Sequence, residues 1–103
     1  DGQLELISQP ATVSANGASL TLTSFKLGTM GAEAAFQPVD PSDMRTMAVL
    51  ALSQVVLKDG STVAMRPTSF GPEGHGSLGL VSPVDLKDVS YVELRDGTQL
   101  WAP

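Results

Sequence analysis

The one histidine of this 103-residue chain, His75, stands in the run Glu73-Gly74-His75-Gly76. A Glu-x-His pair can donate two ligands to a metal ion, and a histidine beside a serine and an aspartate can act as the base of a hydrolytic triad. A zinc site takes about three protein ligands or more, and the chain has no second histidine and no cysteine. The serines lie in ordinary strand or turn contexts, without the strained strand-to-helix turn of a nucleophile elbow. His75 therefore reads as an exposed loop residue. Asp40 and Asp43, joined by Glu33, are candidates for calcium, which takes roughly six to eight oxygens from a compact run of carboxylates. Asp40-Pro41-Ser42-Asp43 lacks the spacing and the glycine of such a loop, and helix capping accounts for both aspartates. The glycine-rich stretch 67–79 has no Lys-Ser/Thr after it and no strand–loop–helix frame, so it is not read as a phosphate cradle. The other carboxylates are spread singly, without an acid/base pair. The expectation is a chain with no catalytic residue, no metal and no cofactor.

Charge narrows the partners. The formal net charge is −5, and the six basic residues (Lys26, Arg45, Lys58, Arg66, Lys87, Arg95) are scattered one by one. No basic patch exists to neutralise phosphates or an anionic membrane surface, so nucleic acid is not an expected partner. No apolar run approaches the ~18 residues needed to cross a bilayer, so a membrane enters only through a segment absent from this chain. The absence of cysteine removes disulfides and thiolate chemistry. With 42% hydrophobic and 17% charged residues the composition is that of a globular domain. Length predicts one domain over residues 1–103. The chain opens at Asp1 without a Met, which reads as a piece of a longer membrane-anchored or secreted protein.

Three turn dipeptides organise the elements that would position any site: Asn16-Gly17, Asp59-Gly60 and Asp96-Gly97. Each lies between β-branched or apolar segments, a strong hairpin signal. At Asn16-Gly17 a two-residue type I′ loop pairs Ala15 with Ala18, Val13 with Leu20 and Ala11 with Leu22, placing all six on one face. At the Asp-Gly sites a two-residue loop would mix polar and apolar residues on both faces. A three-residue loop with glycine in the left-handed position separates them. It pairs Leu57 with Ser61 and Val55 with Val63 around Lys58-Asp59-Gly60, and Leu94 with Thr98 and Val92 with Leu100 around Arg95-Asp96-Gly97. The two hairpins are also alike in sequence, Val55–Ser61 against Val92–Thr98, too few copies for a solenoid.

Elsewhere, Leu20-Thr21-Leu22-Thr23 alternates as a half-buried strand, and its phase slips at Ser24-Phe25, which predicts a bulge there. Glu33–Val39 reads as a strand. Asp40 as cap and Pro41 at the first helical position predict a short helix carrying Met44, Met47, Ala48 and Ala51 inward; a buried strand from Met47 is the alternative. Residues 67–79, rich in Gly and Pro, read as the longest loop, followed by a short strand 78–81 and a turn at 83–88. About seven short strands with regular turns predict a mostly-β domain, a β-sandwich with one short helix.

The register of the last hairpin has a further consequence. It sets Tyr91 directly across from Trp101, the only Tyr and the only Trp of the chain, on the face opposite Val92, Leu94 and Leu100. Glu93 and Gln99 share that face. Adjacent aromatic side chains on a sheet can stack against sugar rings or anchor a protein, and can equally be a stabilising cross-strand pair.

The order of these motifs along the chain is distinctive. Residues 13–25 read Val-Ser-Ala-Asn-Gly-Ala-Ser-Leu-Thr-Leu-Thr-Ser-Phe, and Val-Val-Leu-Lys-Asp-Gly-Ser follows in the middle. Pro83-Val84-Asp85-Leu86-Lys87-Asp88-Val89 then precedes the strand that leads to Asp96-Gly97. The pattern resembles the immunoglobulin-like extracytoplasmic domains of single-pass bacterial membrane proteins, many described as anti-sigma-factor-like or of unknown function. The resemblance spans most of the chain and rests on structural motifs. It implies a place at the cell surface or in the secreted space, a sensing or interaction role, and no catalytic residues. The expected function is a non-enzymatic interaction or sensor domain, with a protein or a cell-wall glycan as partner. The alternative is a carbohydrate-binding or accessory module of a secreted enzyme. In either case Tyr91, Trp101, Glu93 and Gln99 form the expected interaction surface.

Overall fold

A computed structural model describes residues 2–15, 17–43 and 45–103. Asn16 of the first turn and Met44 of the expected helix lie outside the described residues. Among the described residues there are nine strands: β1 (Leu4–Glu5), β2 (Ala11–Ala15), β3 (Ala18–Leu27), β4 (Gly31–Phe36), β5 (Gln54–Leu57), β6 (Thr62–Gly71), β7 (His75–Leu80), β8 (Val89–Glu93) and β9 (Gln99–Trp101). They form one curled antiparallel sheet in the order β1-β3-β4-β7-β6-β5-β8-β9, with β2 also paired to β3.

The hairpin registers are those the sequence predicts. Ala15 pairs with Ala18, Val13 with Leu20 and Ala11 with Leu22, and Gly17 has φ +80°. Gly60 and Gly97 both have φ +90°. Each closes a three-residue loop in which the residue before the loop, Leu57 or Leu94, accepts from the Gly N–H at 2.9 Å and donates its own N–H across at 2.8 Å. Val55 therefore faces Val63, and Val92 faces Leu100. These two hairpins lie side by side, because β5 pairs antiparallel with β8. The equivalent residues Val55 and Val92 face each other there, on a local pseudo-twofold axis.

The bulge in β3 falls between Leu22 and Ser24, just before the expected Ser24-Phe25 position. It lets Leu20, Leu22, Phe25 and Leu27 all point inward, where each is almost fully buried. The Glu5 carboxylate secures this irregularity, accepting from the Ser24 hydroxyl at 2.5 Å and from the backbone N–H groups of Phe25 at 2.8 Å and Ile7 at 3.3 Å.

Four expectations need correction, the first being the strand count, nine among the described residues where the sequence predicts about seven. The stretch 67–79 is not a long loop: it forms the end of β6 and most of β7, joined by a tight turn in which Gly74 N–H donates to Gly71 O at 3.0 Å. Its glycines serve close packing. A Cβ on Gly74 would collide with the Phe36 carbonyl oxygen, and one on Gly79 would crowd the Thr68 methyl. Pro67 sits beside a register shift, where a strand tolerates a missing N–H. The strand expected at 33–39 is β4, Gly31–Phe36. The helix is a single turn, α1 (Arg45–Ala48), headed by Asp43 rather than Asp40. Thr46, Val49, Leu50 and Ser53 face inward, while Met47 is exposed. The inward stripe follows helical spacing in a different phase, and the segment is not a buried strand. Leu52 ends it at φ +61°, a left-handed conformation usual for glycine. The turn expected at 83–88 holds a 3-10 turn, Leu86–Asp88, capped by the Asp85 carboxylate.

β6 joins the two halves of the sheet. Thr62–Ala64 pair with β5, and Met65–Gly71 pair with β7. The curl brings Leu22, Phe25 and Ala34 into one buried apolar cluster with Val55, Val92 and Leu100.

Two glycines separate packing from backbone conformation. A Cβ on Gly31 would collide with the Leu78 carbonyl oxygen, whereas one on Gly60 meets nothing within 4 Å. Gly31→Ala is expected to lower stability by about 3 kcal/mol through overpacking. Gly60→Ala should cost about 1 kcal/mol through its left-handed backbone. Urea unfolding of both variants measures the order, and a reversed order contradicts it.

Candidate functional site

The best-defined surface of the domain is the outer face of β5, β8 and β9. Val92, Leu94 and Leu100 point into the core, so their neighbours Tyr91, Glu93, Gln99 and Trp101 point outward. Tyr91 faces Trp101 and Glu93 faces Gln99. All four expected interaction residues are thus brought together. The two rings pack with centroids 4.4 Å apart at an interplanar angle of 42°. Trp101 nevertheless keeps 56% of its surface exposed.

β5 extends this face with residues the sequence did not single out. Val56 lies opposite Tyr91 and Gln54 opposite Glu93. Gln54 Nε2 donates to Glu93 Oε1 at 2.7 Å. The result is two parallel rows across the strands: Val56, Tyr91 and Trp101 in one, and Gln54, Glu93 and Gln99 in the other. Pairing between β5 and β8, strands far apart in sequence, was the missing information. The likeness of the two hairpins was the one available signal.

The turn that sets this register is tied to the opposite end of the sheet. Asp96 accepts from Thr98 N–H at 2.9 Å and from Ser14 N–H, on β2, at 3.0 Å. Beyond Trp101 lies a shallow depression of about 620 Å³, lined by Gln3, Leu4, Lys58, Lys87 and Ser90 among others. Its lysines have acidic neighbours: Lys87 Nζ is 3.6 Å from Asp85, and Lys58 shares a surface hollow with Asp59 and Asp88.

The other candidates stay apart. His75 begins β7, and its Nε2 lies 2.9 Å from Glu73 Oε2 with both side chains 66% exposed. Asp40 accepts from the N–H and hydroxyl of Ser42. Asp43 pairs with Arg45 at 2.9 Å. Glu33 stands in β4 between Lys26 and Ser77. Among the described residues no three His, Asp or Glu side chains are grouped to hold a metal ion. No helix among them is long and apolar enough to cross a membrane.

Compared with protein-family models, curated proteins and solved structures, the chain matches none.

Several carboxyls sit below their ordinary values. Hydrogen bonds from Ser42 lower Asp40, those from Arg45 lower Asp43, and those from Ser61 lower Asp59. For Glu5 and Asp96 partial burial pushes upward, but hydrogen bonds outweigh it, from Ser24, Phe25 and Ile7 in the first case and Thr98 and Ser14 in the second. A lowered folded-state value stabilises the fold above the unfolded-state value, and that contribution is lost as pH falls through the folded one. Stability should therefore be level above the ordinary values of 4.5 for Glu5 and 3.8 for Asp96 and decline below them. Urea midpoints between pH 7 and pH 3 measure this, and Glu5→Gln should flatten the decline.

Proposed function

We propose that this chain is a non-enzymatic extracytoplasmic interaction or sensor domain, an immunoglobulin-like β-sandwich in its finer architecture, and that it recognises its partner through the outer face of β5, β8 and β9. The observation that carries the reading is the Tyr91–Trp101 pair, with Trp101 half-exposed on an open sheet. A large aromatic side chain left in water loses the burial that ordinarily stabilises it, and a partner that covers it recovers that free energy. Aromatic anchors of this kind carry much of the affinity at recognition surfaces. The curl of the sheet around a single core supports the sandwich reading. The flanking Gln54, Glu93 and Gln99 favour a second reading, a carbohydrate-binding or accessory module of a secreted enzyme.

Amide NMR of the labelled chain, titrated with a solubilised bacterial envelope fraction, tests the surface. Perturbations should gather at Gln54, Tyr91, Glu93, Gln99 and Trp101. Perturbations centred on His75 or on Asp40 and Asp43, or none at all, overturn the assignment.

A further inference from the structure

We infer that this face binds a linear glycan of neutral sugars, with Trp101 as the stacking platform, Glu93 as the acceptor for sugar hydroxyls and Gln54 as the residue that positions Glu93. The inference rests on the outer face being the recognition surface. A sugar ring presents an apolar face of C–H groups bordered by hydroxyls. It needs an aromatic surface beneath it and planar polar side chains at its edge. Both are supplied here on the same strands. Tyr91 and Glu93, like Trp101 and Gln99, are two residues apart, which places the rows about 7 Å from each other.

The polar row is prepared for this task. The bond from Gln54 engages one oxygen of Glu93 and orients the carboxylate, leaving its other oxygen to accept from hydroxyls. The Gln54 and Gln99 amides add both donors and acceptors. Tyr91, packed at 4.4 Å, buttresses Trp101, so less side-chain freedom is lost on binding.

Charge selects the class. Glu93 is the one acidic side chain in the two rows, on a chain of net charge −5. A polymer of uronic acids or sulfated sugars would meet like charge, and a neutral glycan would not. A protein partner is less well served, since the row beyond Tyr91 offers only Val56 and Thr62, a small apolar centre for a protein interface. The open face suits the interior of a glycan chain as well as its end.

Calorimetric titration of the full chain with soluble β-linked oligomers of glucose and of N-acetylglucosamine, and with polygalacturonate as the acidic control, tests the inference. Saturable binding of a neutral oligomer is expected, weakened at least tenfold in Trp101→Ala and several-fold in Gln54→Leu, with both variants still unfolding cooperatively in urea. No saturation with the neutral oligomers, equal affinity for polygalacturonate, or undiminished binding by Trp101→Ala overturns it. If the oligomers fail while the envelope fraction still perturbs Tyr91 and Trp101, the ligand class is wrong and the surface stands. If both fail, the surface itself is wrong.

Discussion

β6 gives its first residues to β5 and the remainder to β7, and the closure of the apolar core follows from that division. Each half of the sheet has one apolar face. Alone, either half would leave that face in water, a cost that grows with the area exposed. A strand shared between the halves turns the sheet on itself, so that Phe25 and Leu22 from one half share a buried cluster with Val55 and Val92 from the other. The outer faces are thereby freed from packing duty.

Within the second half, the two similar hairpins show what packing constrains and what it leaves open. Inward positions correspond: Val55 with Val92, and Val63 with Leu100. Outward positions do not. The positions equivalent to Tyr91 and Trp101 in the other hairpin are held by Gln54 and Ala64. The shared core demands similar side chains on one face, whereas the solvent face has been furnished differently in each hairpin. The aromatic platform therefore exists in one copy, beside the amide that completes its polar row.

Much of this was legible in the sequence because loop length, glycine conformation and alternation are local. The three hairpin registers, and with them the meeting of Tyr91 and Trp101, follow from residues within a few positions of each other. The glycine-rich stretch misled because glycine signals turns locally, while here Gly74 and Gly79 also answer to neighbours from other strands, Phe36 and Thr68. The segment around α1 misled in phase: Asp40 and Pro41 look like a helix start, but Asp43 heads the turn and Met47 faces water. Gln54 was invisible as a partner of Glu93 because distant strand pairing leaves no local mark.

The bond from Ser14 to Asp96 also bears on how copies of this domain behave in a crowded solution. Ser14 lies on β2, at one margin of the sheet, and its outward N–H is the kind of group on which a foreign strand could template itself. The Asp96 carboxylate already occupies it. At the opposite margin β9 is three residues long and is followed closely by Pro103, which has no N–H to offer. The contact that draws the ends of the sheet together thus also closes one place on β2 where a second copy could begin to add a strand.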